Sequence, residues 1–304
     1  MEYRHIGSLE VSIVGLGGNN FGRRLNADAT ARVVQAALDA GITFLDTAEL
    51  YGDGQSEEYL GRALRGKRQS AIIATKFGYK TAPPDRRGQP ANVRRAADAS
   101  LSRLGTDYID LFQLHSPDPN TPIADTLGAL DDLVRAGKVR EIGCSNFSVK
   151  QLHEAESAFR PGHAHFVSVQ NEYSLMHRDP EADVLPECER AGLAFIPYFP
   201  LANGLLTGKY RRGKPIPRST RLSEGSASLS DENLSIVEEL VHFGESRKHT
   251  VLELAFAWLL AHPAVASVIA GATKPEQVKS NAAAAKWKLT PEERAAVDAL
   301  AVYS

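Results

Sequence analysis

The sequence predicts a (β/α)8 TIM barrel with an N-terminal β-hairpin and a C-terminal extra helix, formed as one domain over residues 1–304. Three observations carry that expectation. Short apolar runs alternate with amphipathic segments about eight times, the pattern of repeated βα units. The 304 residues suit one barrel of about 250 residues with insertions, and no linker-like stretch divides them. Asp46, Lys76 and His115 each close an apolar run, which places them at the rim where barrel enzymes keep their chemistry.

The hairpin spans residues 3–11, ahead of strands at 12–16, 43–46, 71–76 and 109–114. The second four strands lie at 141–145, 166–171, 194–199 and 266–269. Each is a short apolar run bounded by turn-forming or polar residues. Between them, apolar residues recur at helical spacing over 28–40, 56–64, 91–104, 123–136, 148–159 and 183–191. Asp28 and Ser56 read as N-caps, while Gly41, Gly105, Gly137 and Gly192 follow helices as C-terminal punctuation. Residues 202–230, rich in Gly, Arg, Pro and Ser, break the rhythm and predict a long mobile loop at the rim. A helix follows from near Glu232, and another over 251–262, with Phe256 and Trp258 on its apolar face, leads into strand eight. Thr290 caps the last helix, whose first turn is Pro291-Glu292-Glu293.

Composition narrows the function classes. A net charge of −2 leaves no basic footprint for nucleic acid, and no segment is apolar for long enough to span a membrane. Cys144 and Cys188 are too few and too far apart for a disulfide framework or a zinc knuckle, so a reducing cytoplasm is the expected compartment. Without an exposed apolar stripe or heptad pattern, the oligomeric state is open.

Four residues carry the chemistry: Asp46 and Tyr51 in Asp46-Thr47-Ala48-Glu49-Leu50-Tyr51-Gly52, Lys76, and His115. Each has a bland use when taken alone. Asp46 could bond backbone at a strand end, Tyr51 could pack in a loop, Lys76 could snorkel at the rim and His115 could be structural. Together, on neighbouring parallel strands, they form a constellation suited to carbonyl reduction. Hydride arriving at a carbonyl carbon leaves an alkoxide, which needs a donor aimed at the oxygen and one delivered proton. Tyr51 is the candidate acid, with a free phenol pKa of ~10 that a nearby ammonium lowers. Lys76 supplies that charge, Asp46 keeps it cationic, and His115 orients the carbonyl.

Beyond these four, Leu114-His115-Ser116-Pro117-Asp118, Gly143-Cys144-Ser145-Asn146-Phe147 and Gly204-Leu205-Leu206-Thr207-Gly208-Lys209-Tyr210 stand in order along the chain. With the Asp46 segment they resemble the signatures of the aldo-keto reductase family, over nearly the whole length. The resemblance implies a (β/α)8 barrel that transfers hydride from a nicotinamide cofactor, NADPH in preference to NADH, to a small-molecule aldehyde or ketone. It implies that Ser145, Asn146 and Gln170 hold the nicotinamide and that Tyr198 stacks on it. Phe199 beside that ring, and Gly18 and Asn19 in the first βα loop, complete this end of the cofactor set. Leu201, Asn203 and Gly204 offer backbone donors to the pyrophosphate. Around strand eight, Gly271, Lys274, Gln277 and Asn281 form the adenosine end, where a polar turn opening a helix suits a phosphate. Gly271 and Gln277 stand where some branches carry a base, so Lys274 is the candidate 2′-phosphate partner.

Other motifs lead elsewhere. Gly15-Leu16-Gly17-Gly18-Asn19-Asn20 lacks the third glycine of a dinucleotide fingerprint, and the GxxxxGK spacing of 61–67 follows a helix and ends in Arg68. His163 and His165 have metal-ligand spacing but no neighbouring carboxylates in sequence. Two other functions use the same residues: a barrel lyase with a Schiff base on Lys76, which needs a neutral amine, and a cofactor-binding regulatory subunit with weak turnover, like the potassium-channel beta subunits that resemble this family. Substrate identity depends on loops at 19–25, 77–89 and 202–230, where Phe21 and Phe77 offer apolar walls and Arg86 and Arg87 offer charge.

Overall fold

The computed structural model describes residues 1–79, 87–217, 221–223 and 225–301; Arg86 and part of the 202–230 loop lie outside the described residues. Strands β1 (Tyr3–Ile6) and β2 (Leu9–Ser12) pair antiparallel as the hairpin. The barrel strands are β3 (Val14–Gly17), β4 (Phe44–Asp46), β5 (Ile72–Phe77), β6 (Ile109–Leu114), β7 (Val139–Ser145), β8 (Phe166–Glu172), β9 (Ala194–Tyr198) and β10 (Val268–Gly271). All are parallel, in the order β10-β3-β4-β5-β6-β7-β8-β9. Backbone bonds from Phe195 N to Ala264 O (2.8 Å) and from Ala266 N to Phe195 O (2.9 Å) bring the two edges together. The predicted barrel is present.

Its helices are α1 (Ala27–Asp39), α2 (Gln55–Ala63), α3 (Pro90–Leu104), α4 (Ile123–Arg135), α5 (Val149–Ser157), α6 (Val184–Ala191), α7 (Asp231–Glu245), α8 (Val251–Leu260), α9 (Pro275–Ala284) and α10 (Pro291–Leu300). The last is the extra C-terminal helix, capped by Thr290 through a full capping box with Glu293. Two N-cap expectations are corrected. Asn26, not Asp28, accepts from Ala29 N to start α1. Helix α2 starts behind Gly54 at φ 89°, which leaves Ser56 inside the helix. The first and last barrel strands also begin two residues later than expected. Ser12 belongs to the hairpin, where its hydroxyl donates to Val14 O and accepts from Thr43 N, so the chain turns there before entering the barrel.

The hairpin fills the floor of the barrel. Ile6, Leu9 and Val11 are fully buried in one cluster with the inward-facing Phe44, Ala74, Leu111, Ile196 and Ile269. Arg4 holds it in place by donating to Leu260 O at 2.7 Å and to His262 O and Val265 O at the end of α8. The larger apolar cluster lies between strands and helices. Gly61 of α2 serves that packing, since a Cβ there would lie 2.2 Å from Leu104 O, which accounts for one glycine of the GxxxxGK spacing. No helix among the described residues is long and apolar enough to cross a membrane.

Candidate active site

The register places the polar groups before any side-chain contact does. Gly17 pairs with Asp46, Asp46 with Ala74, and Lys76 with Gln113, so Asp46 and Lys76 sit on adjacent strands at the C-terminal rim and His115 follows β6 directly. The loop carrying Tyr51 extends the ladder of β5: Thr47 N donates to Ala74 O (2.8 Å) and Glu49 N to Lys76 O (3.0 Å). This run folds Tyr51 back over Lys76. Lys76 Nζ donates to Asp46 Oδ2 at 2.6 Å and to Thr47 O at 3.0 Å, and lies 5.2 Å from the centroid of the Tyr51 ring. The Tyr51 and His115 rings meet edge to face at 6.1 Å. The structure brings the four side chains together at one rim.

Lys76 is fully buried and Asp46 is 4 % exposed, so each charge depends on the other. Burial pushes the Lys76 ammonium down, but Asp46 and then Tyr51 more than restore it, and the net shift is upward. For Tyr51 the outcome differs from the expectation of a lowered phenol. Burial raises it further than the Lys76 charge lowers it, so the phenol stays protonated above its usual range. His115 goes the other way: burial first, then Lys76, push its imidazole down to about 2. At neutral pH the site therefore holds one buried cation, one phenol and one neutral imidazole.

The nicotinamide candidates form a network of their own. Ser145 Oγ donates to Gln170 O (2.7 Å), Gln170 Nε2 donates to Asp46 Oδ1 (3.1 Å), and Asn146 Nδ2 donates to His115 O (2.9 Å). The Tyr198 hydroxyl donates to Asn146 Oδ1 at 2.9 Å, with Phe199 edge-on to Tyr198 at 5.2 Å. These contacts join the cofactor candidates to the Asp46 carboxylate and to the main chain of His115. Asn146 (φ 62°), Phe199 (52°), Ala202 (44°) and Asn203 (57°) all adopt left-handed backbone, a concentration of strain suited to a binding rim.

At the other end, Gly18 N donates to Asp46 O at 2.7 Å, and Ser56 Oγ donates to Gly18 O at 2.9 Å. A Cβ on Gly18 would fall 2.9 Å from that hydroxyl, which explains both the glycine and the buried serine. Asn19 Oδ1 is buried without a hydrogen-bond partner among the described residues and faces the open side of Gly271, 3.3 Å from where a Cβ would stand. Leu201 and Gly204 stay near one another through the Gly204 N to Leu201 O bond (2.8 Å), and Lys209 Nζ lies 3.0 Å from the missing Gly204 Cβ. Gln277 Oε1 accepts from Thr273 N (2.7 Å), Lys274 is exposed at the start of α9, and Asn281 is buried on that helix. An orphaned acceptor, two glycine-floored surfaces and a cationic rim fit a dinucleotide.

Sequence reasoning missed Tyr79, whose ring lies 4.6 Å from His115. An aromatic three residues beyond Lys76 was the available signal. His163, by contrast, is tied to Asp131 at 2.8 Å and His165 packs on Phe159, so the HxH pair serves a surface turn.

The model of the Aldo/keto reductase family matches residues 13–302 of this chain. The chain belongs to that family. It is 38 % identical to aldo-keto reductase str7 of Strobilurus tenacellus, covering 99 % of this chain and 92 % of that one. A probable voltage-gated potassium channel subunit beta of Oryza sativa subsp. japonica is 33 % identical, covering 92 % and 90 %. Among solved structures, the glycerol dehydrogenase AKR11B4 of Gluconobacter oxydans superposes with a TM-score of 0.85 at 32 % identity, covering 98 % and 94 %. This aldo-keto reductase is thus an NAD(P)H-dependent oxidoreductase built for carbonyl chemistry.

Proposed function

We propose that the protein reduces small aldehydes or ketones to alcohols with NADPH, with Tyr51 as general acid. The observation that carries this reading is the chain of contacts Asp46–Lys76–Tyr51–His115 at one rim. The Tyr51 phenol keeps its proton through neutral pH and gives it to the forming alkoxide. Lys76, held charged by Asp46, then stabilises the phenolate left behind. His115, uncharged, donates from Nε2 to the carbonyl oxygen and sets its angle. The coenzyme, when bound, supplies the hydride. Ser145, Asn146 and Gln170 hold its carboxamide after exchanging some of their present partners, and Tyr198 with Phe199 flanks the ring. Gly18 and Asn19 line the approach. Leu201, Asn203 and Gly204, with Lys209 above, take the pyrophosphate, and Gly271, Lys274, Gln277 and Asn281 take the adenosine.

The buried Asp46–Lys76 pair disfavours the Schiff-base lyase, which needs a free amine on Lys76. The similarity to a channel beta subunit keeps a regulatory role with weak turnover as the second reading. Buried, free Cys144 and Cys188 suit a reducing cytoplasm. Fluorescence titration with NADPH and NADH, followed by nicotinamide absorbance with aldehydes and diketones, decides between them. Binding with carbonyl-dependent oxidation supports the reductase, and binding without turnover on any carbonyl favours the regulatory reading.

Coenzyme preference rests on Lys274, because Gln277 is engaged with Thr273. Lys274→Ala is expected to raise the Kd of NADPH about fivefold and leave that of NADH nearly unchanged, since one exposed ion pair is worth up to about 1 kcal/mol. Equal losses for both coenzymes would place the 2′-phosphate elsewhere.

A further inference from the structure

A working histidine ordinarily has one ring nitrogen fixed by a hydrogen bond, which sets the tautomer and the direction of the other. His115 lacks that bond at Nδ1. The atom is buried and without a partner among the described residues, although the residue is only 6 % exposed. Something else must hold the ring. Tyr79 packs against it at 4.6 Å with the planes tilted by 55°, and Tyr51 meets it edge-on at 6.1 Å. The imidazole is thus clamped between two phenol rings reaching in from different loops. Its main chain is fixed independently, by His115 N to Phe77 O (2.8 Å) and Asn146 Nδ2 to His115 O (2.9 Å), so the side chain's freedom is only rotation about its own bonds.

We propose that Tyr79 is a positioning residue whose ring holds the His115 imidazole in one orientation and shields it from water, in place of a hydrogen bond to Nδ1. This rests on the reading of His115 as the donor to the carbonyl oxygen. The charged and titratable groups around the imidazole are Lys76 from β5, with Asp46 of β4 behind it, and the phenols of Tyr51 and Tyr79. Further along the same loop, Arg87 donates to Pro117 O and Asp118 accepts from Gly88 N. Among the described residues no carboxylate is paired with the ring, so once water reaches it Lys76, paired with Asp46, is what still opposes protonation. Shielding by Tyr79 therefore decides the charge of His115 as well as its angle.

The test compares Tyr79→Phe, Tyr79→Leu and Tyr79→Ala by NMR titration of isotope-labelled histidine from pH 4 to 8, in the full chain without coenzyme. His115 is assigned by its absence from the spectrum of His115→Asn. In the parent and in Tyr79→Phe, the His115 signal is expected not to titrate above pH 4. In Tyr79→Ala it is expected to titrate inside the scanned range, short of the ordinary value of about 6.5 because Lys76 still opposes the charge. The Ala variant's kcat/KM for carbonyl reduction should fall about ten- to a hundredfold and gain an inflection at the pH of that titration, because a misdirected donor costs on that order. Tyr79→Leu, which keeps bulk but not the ring, is expected between the two and decides the question if Tyr79→Ala does not fold. A His115 that titrates near 6.5 in the parent, or that stays neutral in both Ala and Leu variants, overturns the proposal. The titration needs no turnover, so failure of the reductase reading would appear separately, as inactivity of the parent.

Discussion

Tyr51→Phe is expected to lower kcat for carbonyl reduction by about 10²- to 10⁴-fold, the usual contribution of a positioned acid, while coenzyme Kd stays within about twofold. Phenylalanine keeps the ring that packs on His115 and lies over Lys76, so the pocket's shape survives. Only the proton is lost. Because burial holds the phenol above its ordinary range, the parent enzyme should reduce carbonyls at a level rate from neutral pH to at least about pH 9. Steady-state kinetics on both proteins, with coenzyme titration alongside, separates chemistry from binding. Turnover in the variant within tenfold of the parent would remove Tyr51 from the role of donor.

Lys76→Met should cost both activity and stability. Among the described residues the substitution leaves Asp46, 4 % exposed, with Gln170 Nε2 as its remaining side-chain donor. Breaking one side of a buried ion pair typically costs about 3–5 kcal/mol, since the other charge is left without compensation. The rate should fall as well, because the phenolate formed at Tyr51 loses its counter-charge. A double variant, Lys76→Met with Asp46→Leu, removes the stranded carboxylate. It should recover much of the lost stability and none of the activity. Urea unfolding of parent, single and double variants measures this, and equal stability of the two variants would mean that Asp46 is not stranded.

The barrel was legible because its strands are short apolar runs ending in the residues that matter: Asp46, Lys76 and His115 mark where β4, β5 and β6 meet the rim. Their convergence followed from parallel register alone. What sequence could not give was anything settled by through-space competition. The ammonium beside Tyr51 is visible as a nearby lysine, but the burial that outweighs it depends on how the loop 47–54 folds back. Ser56 resembles an N-cap by type, yet Gly54 at φ 89° starts the helix and frees the serine to brace Gly18. The clamp on His115 comes from a residue whose type, read alone, means only a loop aromatic.

The hairpin under the barrel has a kinetic meaning. Ile6, Leu9 and Val11 fill the lower end against Phe44, Ala74 and Leu111, so the barrel is solid beneath the site and both reactants of the proposed reduction come and go at the C-terminal rim. Of two reactants stacked in one cleft there, the deeper arrives first and departs last, an order of binding and release that needs neither ligand to reshape the site of the other.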